Sequence, residues 1–405
     1  MSDSTLVFIQ EHFLQYYAEC FDKIAVERRF EQREFAALLR DRIMVRHKSF
    51  RTRDDLQGFL CSMIPSDVYY SSAYYRQPDA PEMGMKGWVG ADLIFDIDAD
   101  HIPTACDKVH DDWICKECGF RGKGELPLKC PACDCEKFDE KTWPCEKCLD
   151  SAKEESLKLL DVLTKDFGFS EKNLSVYFSG HRGYHVHVED DVVEHLDSMA
   201  RKEIVDYVMG LGFDPDLQGF GDPDTANVSL KDAGWRGRVA MGIYGIVQSQ
   251  TEDLQKSGLK RNVAETIVKN RDILVRNLNE SKPLGLVKGL GPETYEKLVM
   301  QSKKNQSSKI DTVVTTDIHR LIRLPGTLHG KTGFRKVKIP IESVHVFDPF
   351  NSAIAFDEGS VSVQVSEAPR FRLCDQEFGP FQNEKATLPT AAALLLMCKK
   401  RAELS

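Results

Sequence analysis

Apolar residues recur at helical spacing over Leu6 to Phe21 and over Arg33 to Arg40, which predicts two early helices. Val68 to Tyr75 and Trp88 to Asp98 are rich in aromatic and β-branched residues around a proline- and glycine-rich connector, and read as strands. Between Cys106 and Cys148 periodic apolar positions nearly vanish, so that segment must fold around metal rather than a core. Helical spacing returns over Ser151 to Phe167, with Leu157, Leu160 and Leu163 facing inward, and Leu174 to Glu189 then reads strand, tight turn, strand. Val192 to Leu211 and Leu254 to Lys303 are helical in pattern, separated by a Gly/Asp-rich stretch from Gly212 to Gly245. Gly289-Leu290-Gly291-Pro292-Glu293-Thr294 is similar to a helix-hairpin-helix turn, a pattern that a plain capped connection also produces. From Thr312 the chain regains strands, through Phe334 to Ile339 and Ser343 to Phe347. The expected fold class is α/β (α+β), a mixed-sheet core carrying two inserts. Its boundaries are core at 1–104, a zinc-binding insert at 105–149, core at 150–190, a mainly helical insert at 191–305, and core at 306–405.

Composition narrows this little: 405 residues, 41% hydrophobic and 29% charged, suit a globular chain with real cores. The N-terminus has no basic leader pattern and the longest apolar run, Ala391 to Cys398, is far too short to span a membrane. A cytoplasmic, nucleoid-associated protein with no membrane partner is therefore expected. Charge changes the picture more. The net charge is −9, yet Leu254 to Lys338 holds 18 Lys and Arg against 7 Asp and Glu, a basic segment suited to phosphate. Eight of the twelve cysteines fall between Cys106 and Cys148, which favours a reducing compartment and bound metal over disulfides.

Three segments carry chemistry. In Asp92-Leu93-Ile94-Phe95-Asp96-Ile97-Asp98, alternation along a strand turns Leu93, Phe95 and Ile97 to one side and leaves Asp96 and Asp98 together on the other. Such a pair repels itself unless a cation sits there; the bland alternative is a solvated strand end. In the second segment, Gly180-His181-Arg182-Gly183 joins two strands, with His185 and His187 sharing a face, and supplies donors matched to phosphate. The third runs from Ile310 to Gly333: Asp311 in an apolar strand start would complete a three-carboxylate site, and Arg323, His329 and Lys331 could face a polyphosphate. Separately, Cys115-x2-Cys118-x11-Cys130-x2-Cys133 has the spacing of a zinc ribbon, with Cys135 left over as a substitute for Cys133 and an iron-sulfur cluster as the alternative cargo.

Asp96-Ile97-Asp98, Ser179-Gly180-His181-Arg182-Gly183-Tyr184-His185 and Leu321-Ile322-Arg323-Leu324-Pro325-Gly326-Thr327-Leu328-His329-Gly330-Lys331-Thr332-Gly333 resemble, in order and separation, the three motifs of the small catalytic subunit of archaeal and eukaryotic DNA primase. The resemblance runs nearly end to end, takes in Arg33-Glu34-Phe35 and Val45-Arg46-His47-Lys48-Ser49-Phe50, and is archaeal in the Leu324 to His329 stretch. It implies a primase catalytic core in which Asp96, Asp98 and Asp311 hold two Mg²⁺ or Mn²⁺ ions, with Asp317 as the rival third ligand. It also implies nucleotide contacts at Ser179, Arg182, His185, Arg323 and His329, and at Glu34 and Arg46; His181 stands where relatives often have arginine, and its role is open. Cys106, His110, Cys145 and Cys148 are similar to the family's zinc knuckle, with the ribbon nested inside it.

The implied activity is DNA-templated synthesis of short RNA primers, possibly DNA, at the start of replication. The implied partners are a large regulatory subunit with an iron-sulfur domain, single-stranded template and nucleoside triphosphates. The alternatives are a stand-alone primase-polymerase of repair or a mobile element, and a non-catalytic zinc-ribbon nucleic-acid-binding protein.

Overall fold

The computed structural model describes residues 2–25, 28–256, 258–285, 287 and 291–405. The chain divides into two units, one comprising Met1–Leu157, Ser170–Lys202 and Ile310–Ser405, the other Lys158–Phe169 and Glu203–Lys309. Two of the four borders fall inside the helices Glu146–Lys165 and Ser198–Met209. Helices and antiparallel sheets are mixed in the first unit, an α/β class, while the described elements of the second are helices.

Two four-stranded antiparallel sheets frame the first unit. In one the order is Leu321–Arg323, Asp67–Ser71, Phe35–Leu38, Met44–Lys48; in the other it is Val337–Ile339, Leu174–Phe178, Gly183–Val188, Leu93–Asp98. In the second sheet Phe95, Ile97, Tyr184 and Val186 are fully buried, which fixes the register: a slip of one residue would exchange them for Asp96, Asp98 and His185. Gly183 stands opposite Asp98, and a Cβ there would lie 2.3 Å from the Ile97 carbonyl oxygen, so only glycine lets the strands pair this closely.

The pattern of apolar positions misassigns several segments. Arg33 to Arg40 is not helical but contains the strand Phe35–Leu38, paired on both sides. A fully buried central strand is apolar on both faces, and so short a run does not distinguish it from a helix. Thr312–Thr316 is a short helix rather than a strand, and Ser343 to Phe347 lies mostly in the 3₁₀ turn Ile341–Val346. Leu157 is only half-buried on its helix, whereas Leu159, Leu160, Val162 and Leu163 are buried.

In the second unit the Gly/Asp-rich stretch from Gly212 to Gly245 includes most of the helix Gly234–Gln248, whose Val239, Ile243 and Val247 are buried in that unit's core. Glycine weakened the helical signal there for a packing reason: a Cβ on Gly242 would come within 2.7 Å of Ser302 on the helix Pro292–Gln306. Of the hairpin-like turn, Gly289 and Leu290 lie outside the described residues; Gly291 caps that same helix and Pro292 opens it.

The cysteine-rich insert forms a three-stranded sheet of Arg121–Lys123, Asp112–Cys115 and Phe138–Lys141. The C-terminal apolar run is the buried helix Thr390–Cys398, packed on a sheet of Phe381–Pro389, Ser360–Ala368 and Ala402–Leu404. No helix among the described residues is long and apolar enough to cross a membrane.

Candidate active site and metal centres

Asp96 and Asp98 end the edge strand of the second sheet and project on the face where His185 stands opposite Asp96. His185 Nε2 lies 3.4 Å from Asp96 Oδ1. The third carboxylate arrives by a different route from a strand. Asp311 N donates to the Asp96 carbonyl oxygen at 2.8 Å, and the Asp311 side chain caps the helix Thr312–Thr316 by accepting from Val313 N at 2.9 Å. Burial, Asp98 and Asp311 together push the Asp96 carboxyl up to about 7, with Arg320 and Lys336 opposing them. Burial raises Asp98 too, against Arg182, His101, Lys331 and Lys108. Asp317 accepts from His319 N at 2.9 Å, and its charge, with that of Glu34, is felt at Tyr75.

A protonation consequence follows. The unfolded carboxyl titrates near ~3.9, so Asp96 binds its proton more tightly in the folded state, and that contribution to stability is full below the unfolded value and lost as pH rises through about 7. With no divalent ion added, Asp96→Asn is expected to melt above the unsubstituted protein at pH 8, with the gap narrowing at pH 5. Thermal melts at the two pH values check this; a gap independent of pH contradicts it.

Around the carboxylates lies a layer of buried cations and imidazoles. Lys336 is buried, donates to the Arg323 carbonyl oxygen at 2.8 Å, and sits 4.7 Å from the centre of the Tyr177 ring; burial and Arg323 hold its ammonium well below the usual lysine range. Burial, Lys336 and His187 likewise hold His185 well below the usual histidine range, so it is a neutral imidazole beside Asp96. Arg323 Nη1 is paired with Asp67 Oδ1 at 2.6 Å; Gly330 N donates to the same oxygen at 3.0 Å, and His329 Nδ1 lies 3.7 Å from it. Ser179 Oγ accepts from Gly183 N at 3.2 Å and His181 N at 3.4 Å, closing the turn. His181 Nε2 faces Lys399 Nζ at 2.7 Å, and its ring is 5.1 Å from that of His329.

Arg182 is 1% exposed and held by Asp100 and by Asp111, the latter at 2.6 Å. Lys331 is exposed, and with Arg182 it helps line a cavity of about 490 Å³ beside Asp100 and Asp111. Glu34 and Arg46 form a separate pair on the first sheet: the fully buried Glu34 accepts from Arg46 Nε and His47 N, both at 3.2 Å, and faces Lys86 Nζ at 3.3 Å.

Asp67, Asp111, Lys336 and Lys399 were absent from the sequence reading. Asp111 had a visible signal, since an acid next to a metal-binding histidine often orients it. Lys336, a lysine within an apolar strand pattern, had a weaker one.

The cysteines form two groups. Cys106 Sγ lies 3.3 Å from both His110 Nε2 and Cys148 Sγ, and Cys145 completes that set; Cys115, Cys118, Cys130 and Cys133 make the other, with sulfurs 3.5 Å (Cys115 to Cys133) and 3.6 Å (Cys118 to Cys130) apart. Within each group the ligand atoms lie within 4.8 Å of one another. Tetrahedral ligation at about 2.3 Å per thiolate needs sulfurs roughly 3.8 Å apart, so both groups could hold zinc. Cys135 belongs to neither; its sulfur accepts from Lys137 N at 3.2 Å.

Residues 134–342 match the family model described as DNA primase small subunit. The chain is 34% identical to DNA primase small subunit PriS of Nitrosopumilus maritimus over 408 residues and 32% identical to that of Methanothrix thermoacetophila over 428, in each case across all of both chains. It is 34% identical to PriS of Cenarchaeum symbiosum, across 98% of each. The chain belongs to the DNA primase small subunit family, in its archaeal form. It is a DNA primase, an enzyme of DNA replication.

Proposed function

We propose that this chain synthesises short RNA primers on single-stranded DNA by two-metal nucleotidyl transfer at Asp96, Asp98 and Asp311. What supports the reading is that Asp96 and Asp98 share one face of their strand and that Asp311, bonded through its backbone N to the Asp96 carbonyl oxygen, adds its charge to theirs, so that the Asp96 carboxyl is pushed up to about 7. Carboxylates placed at mutual cost answer to divalent ions. Mg²⁺ or Mn²⁺ bound there supplies the charge that activates a 3′-hydroxyl and stabilises departing pyrophosphate.

The chain's own residues do the rest. His185 orients Asp96 through its neutral imidazole. His329 and the exposed Lys331 meet the triphosphate, while Arg182 and Arg323 strengthen the positive potential from beneath. Ser179 shapes the turn that carries Arg182, and Glu34 holds Arg46 toward nucleotide or template. Removing a hydrogen bond to a charged group costs about 1.5–3 kcal/mol, so His185→Ala is expected to raise KM for the nucleotide more than it lowers kcat. Steady-state kinetics read this directly, and a loss confined to template affinity places the hairpin in another role.

The two cysteine groups hold one structural Zn²⁺ each. Elemental analysis is expected to give two zinc ions per chain, falling to about one on Cys115→Ser/Cys118→Ser; a single zinc in the unsubstituted protein, or iron, contradicts the nested pair. The relatives are named as small subunits, which supports a large subunit as partner, here of the iron-sulfur kind. In domain terms, 1–104, 150–190 and 306–405 form the catalytic core around inserts at 105–149 and 191–305.

The test is primer synthesis on bare single-stranded template with Mg²⁺ or Mn²⁺, with and without a large subunit. New chains started from nucleoside triphosphates, and stimulated by the partner, support the reading. Extension of existing ends alone overturns it, and full activity that ignores the partner favours a stand-alone polymerase.

A further inference from the structure

Asp111 touches both the first cysteine/histidine group, through His110, and Arg182, whose charge reaches Asp98. His110 turns Nε2 toward that group, 3.3 Å from Cys106 Sγ and 3.4 Å from Cys148 Sγ. Its other nitrogen, Nδ1, is 2.8 Å from Asp111 Oδ1, which also accepts from Trp143 N at 2.8 Å. The second oxygen, Oδ2, accepts from Arg182 Nη1 at 2.6 Å. Arg182 is then closed in by Asp100 and the Trp143 carbonyl oxygen, at 3.4 Å, and its charge acts on Asp98.

A metal-bound imidazole has a fixed ring plane and one remaining N–H, so its carboxylate partner is fixed in turn. A carboxylate gripped on one oxygen by His110 and Trp143 cannot swing without releasing the guanidinium on the other.

We infer that zinc held by Cys106, His110, Cys145 and Cys148 positions Arg182 at the nucleotide site through Asp111, which makes Asp111 a positioning residue and that zinc more than a staple for the insert. The inference rests on Asp96, Asp98 and Asp311 being the nucleotidyl-transfer centre. Asparagine in place of Asp111 keeps the shape but not the charge. Once its carbonyl serves His110 and Trp143, its amide nitrogen is turned as a donor toward a donor on Arg182.

The test measures binding of a fluorescent nucleoside triphosphate by anisotropy, and zinc release to a chelator, for Asp111→Asn, Arg182→Ala and the double variant. Asp111→Asn is expected to weaken nucleotide binding about tenfold or more and to release the first zinc at least about tenfold faster. Added to Arg182→Ala, it should weaken nucleotide binding no further, because both act through one guanidinium; Asp111→Glu, which keeps the charge, should restore part of the affinity. Normal nucleotide binding by Asp111→Asn, additive losses, or an Arg182→Ala that binds nucleotide normally each overturn the relay.

A second measurement stands if Asp111→Asn fails to fold. In Cys115→Ser/Cys118→Ser, nucleotide affinity should fall in step with removal of the remaining zinc, and affinity indifferent to zinc overturns the inference. Asp96→Asn separates the two levels: if it is inactive while Asp111→Asn binds nucleotide normally, the relay alone fails, whereas an active Asp96→Asn removes the reading beneath it.

Discussion

Asp96→Asn and Asp98→Asn are each expected to fold normally and to add no measurable nucleotide, a loss of at least about 100-fold. The substitution removes one anionic oxygen from the proposed cation site, while keeping the size and planarity of the side chain. Packing gives no reason for collapse: Phe95 and Ile97, which anchor the strand, are untouched and fully buried. Relief of repulsion at Asp96 should even stabilise the metal-free protein at high pH, since its carboxyl is held at about 7 by burial and its two acidic neighbours. Circular dichroism with a nucleotide-incorporation assay separates the two effects. Near-normal incorporation at millimolar Mg²⁺ by either variant contradicts the assignment.

Asp311→Ala is expected to abolish primer synthesis as fully, and Asp317→Ala to leave a substantial part of it. Asp311 is tied to Asp96 by a backbone hydrogen bond of 2.8 Å and contributes to the upward shift there, whereas Asp317 accepts from His319 N and bears on Tyr75. Loss of the Asp311 cap also costs the helix Thr312–Thr316 about 1 kcal/mol, a local effect that leaves the sheets in place. The cap cost is separable from the metal cost, because Asp311→Asn still caps but binds cations poorly. Asp311→Asn should therefore be nearly as inactive as Asp311→Ala. The reverse pattern, an inactive Asp317→Ala beside an active Asp311→Ala, moves the third carboxylate to Asp317.

What the sequence made legible at this site depended on local rules. Strand alternation put Asp96 and Asp98 on one face of their strand and His185 and His187 on one face of another, and the register then sets His185 opposite Asp96. Cysteine spacing picked out Cys115, Cys118, Cys130 and Cys133 because knuckles are local turns, while the set of Cys106, His110, Cys145 and Cys148, split by the ribbon between its halves, came from the family resemblance; both groups assemble. Asp311 was placed at the start of a strand but caps a short helix: Val313, Val314 and Thr315 favour strands by propensity, and the N-cap hydrogen bond from Val313 marks where the helix begins. The surroundings of Arg182 were not legible, because Asp111 meets it from 71 positions away, and only the fold decides which acid a buried arginine finds. The same holds for Arg323 and Asp67.

The most direct test of the central claim is a crystal structure of the protein soaked with Mn²⁺ and a non-hydrolysable nucleoside triphosphate, read by anomalous scattering at the manganese edge. Manganese peaks ligated by Asp96, Asp98 and Asp311, with the triphosphate against them on the side of His329 and Lys331, are the predicted result. Manganese bound elsewhere, with those three carboxylates bare at full nucleotide occupancy, would contradict the account.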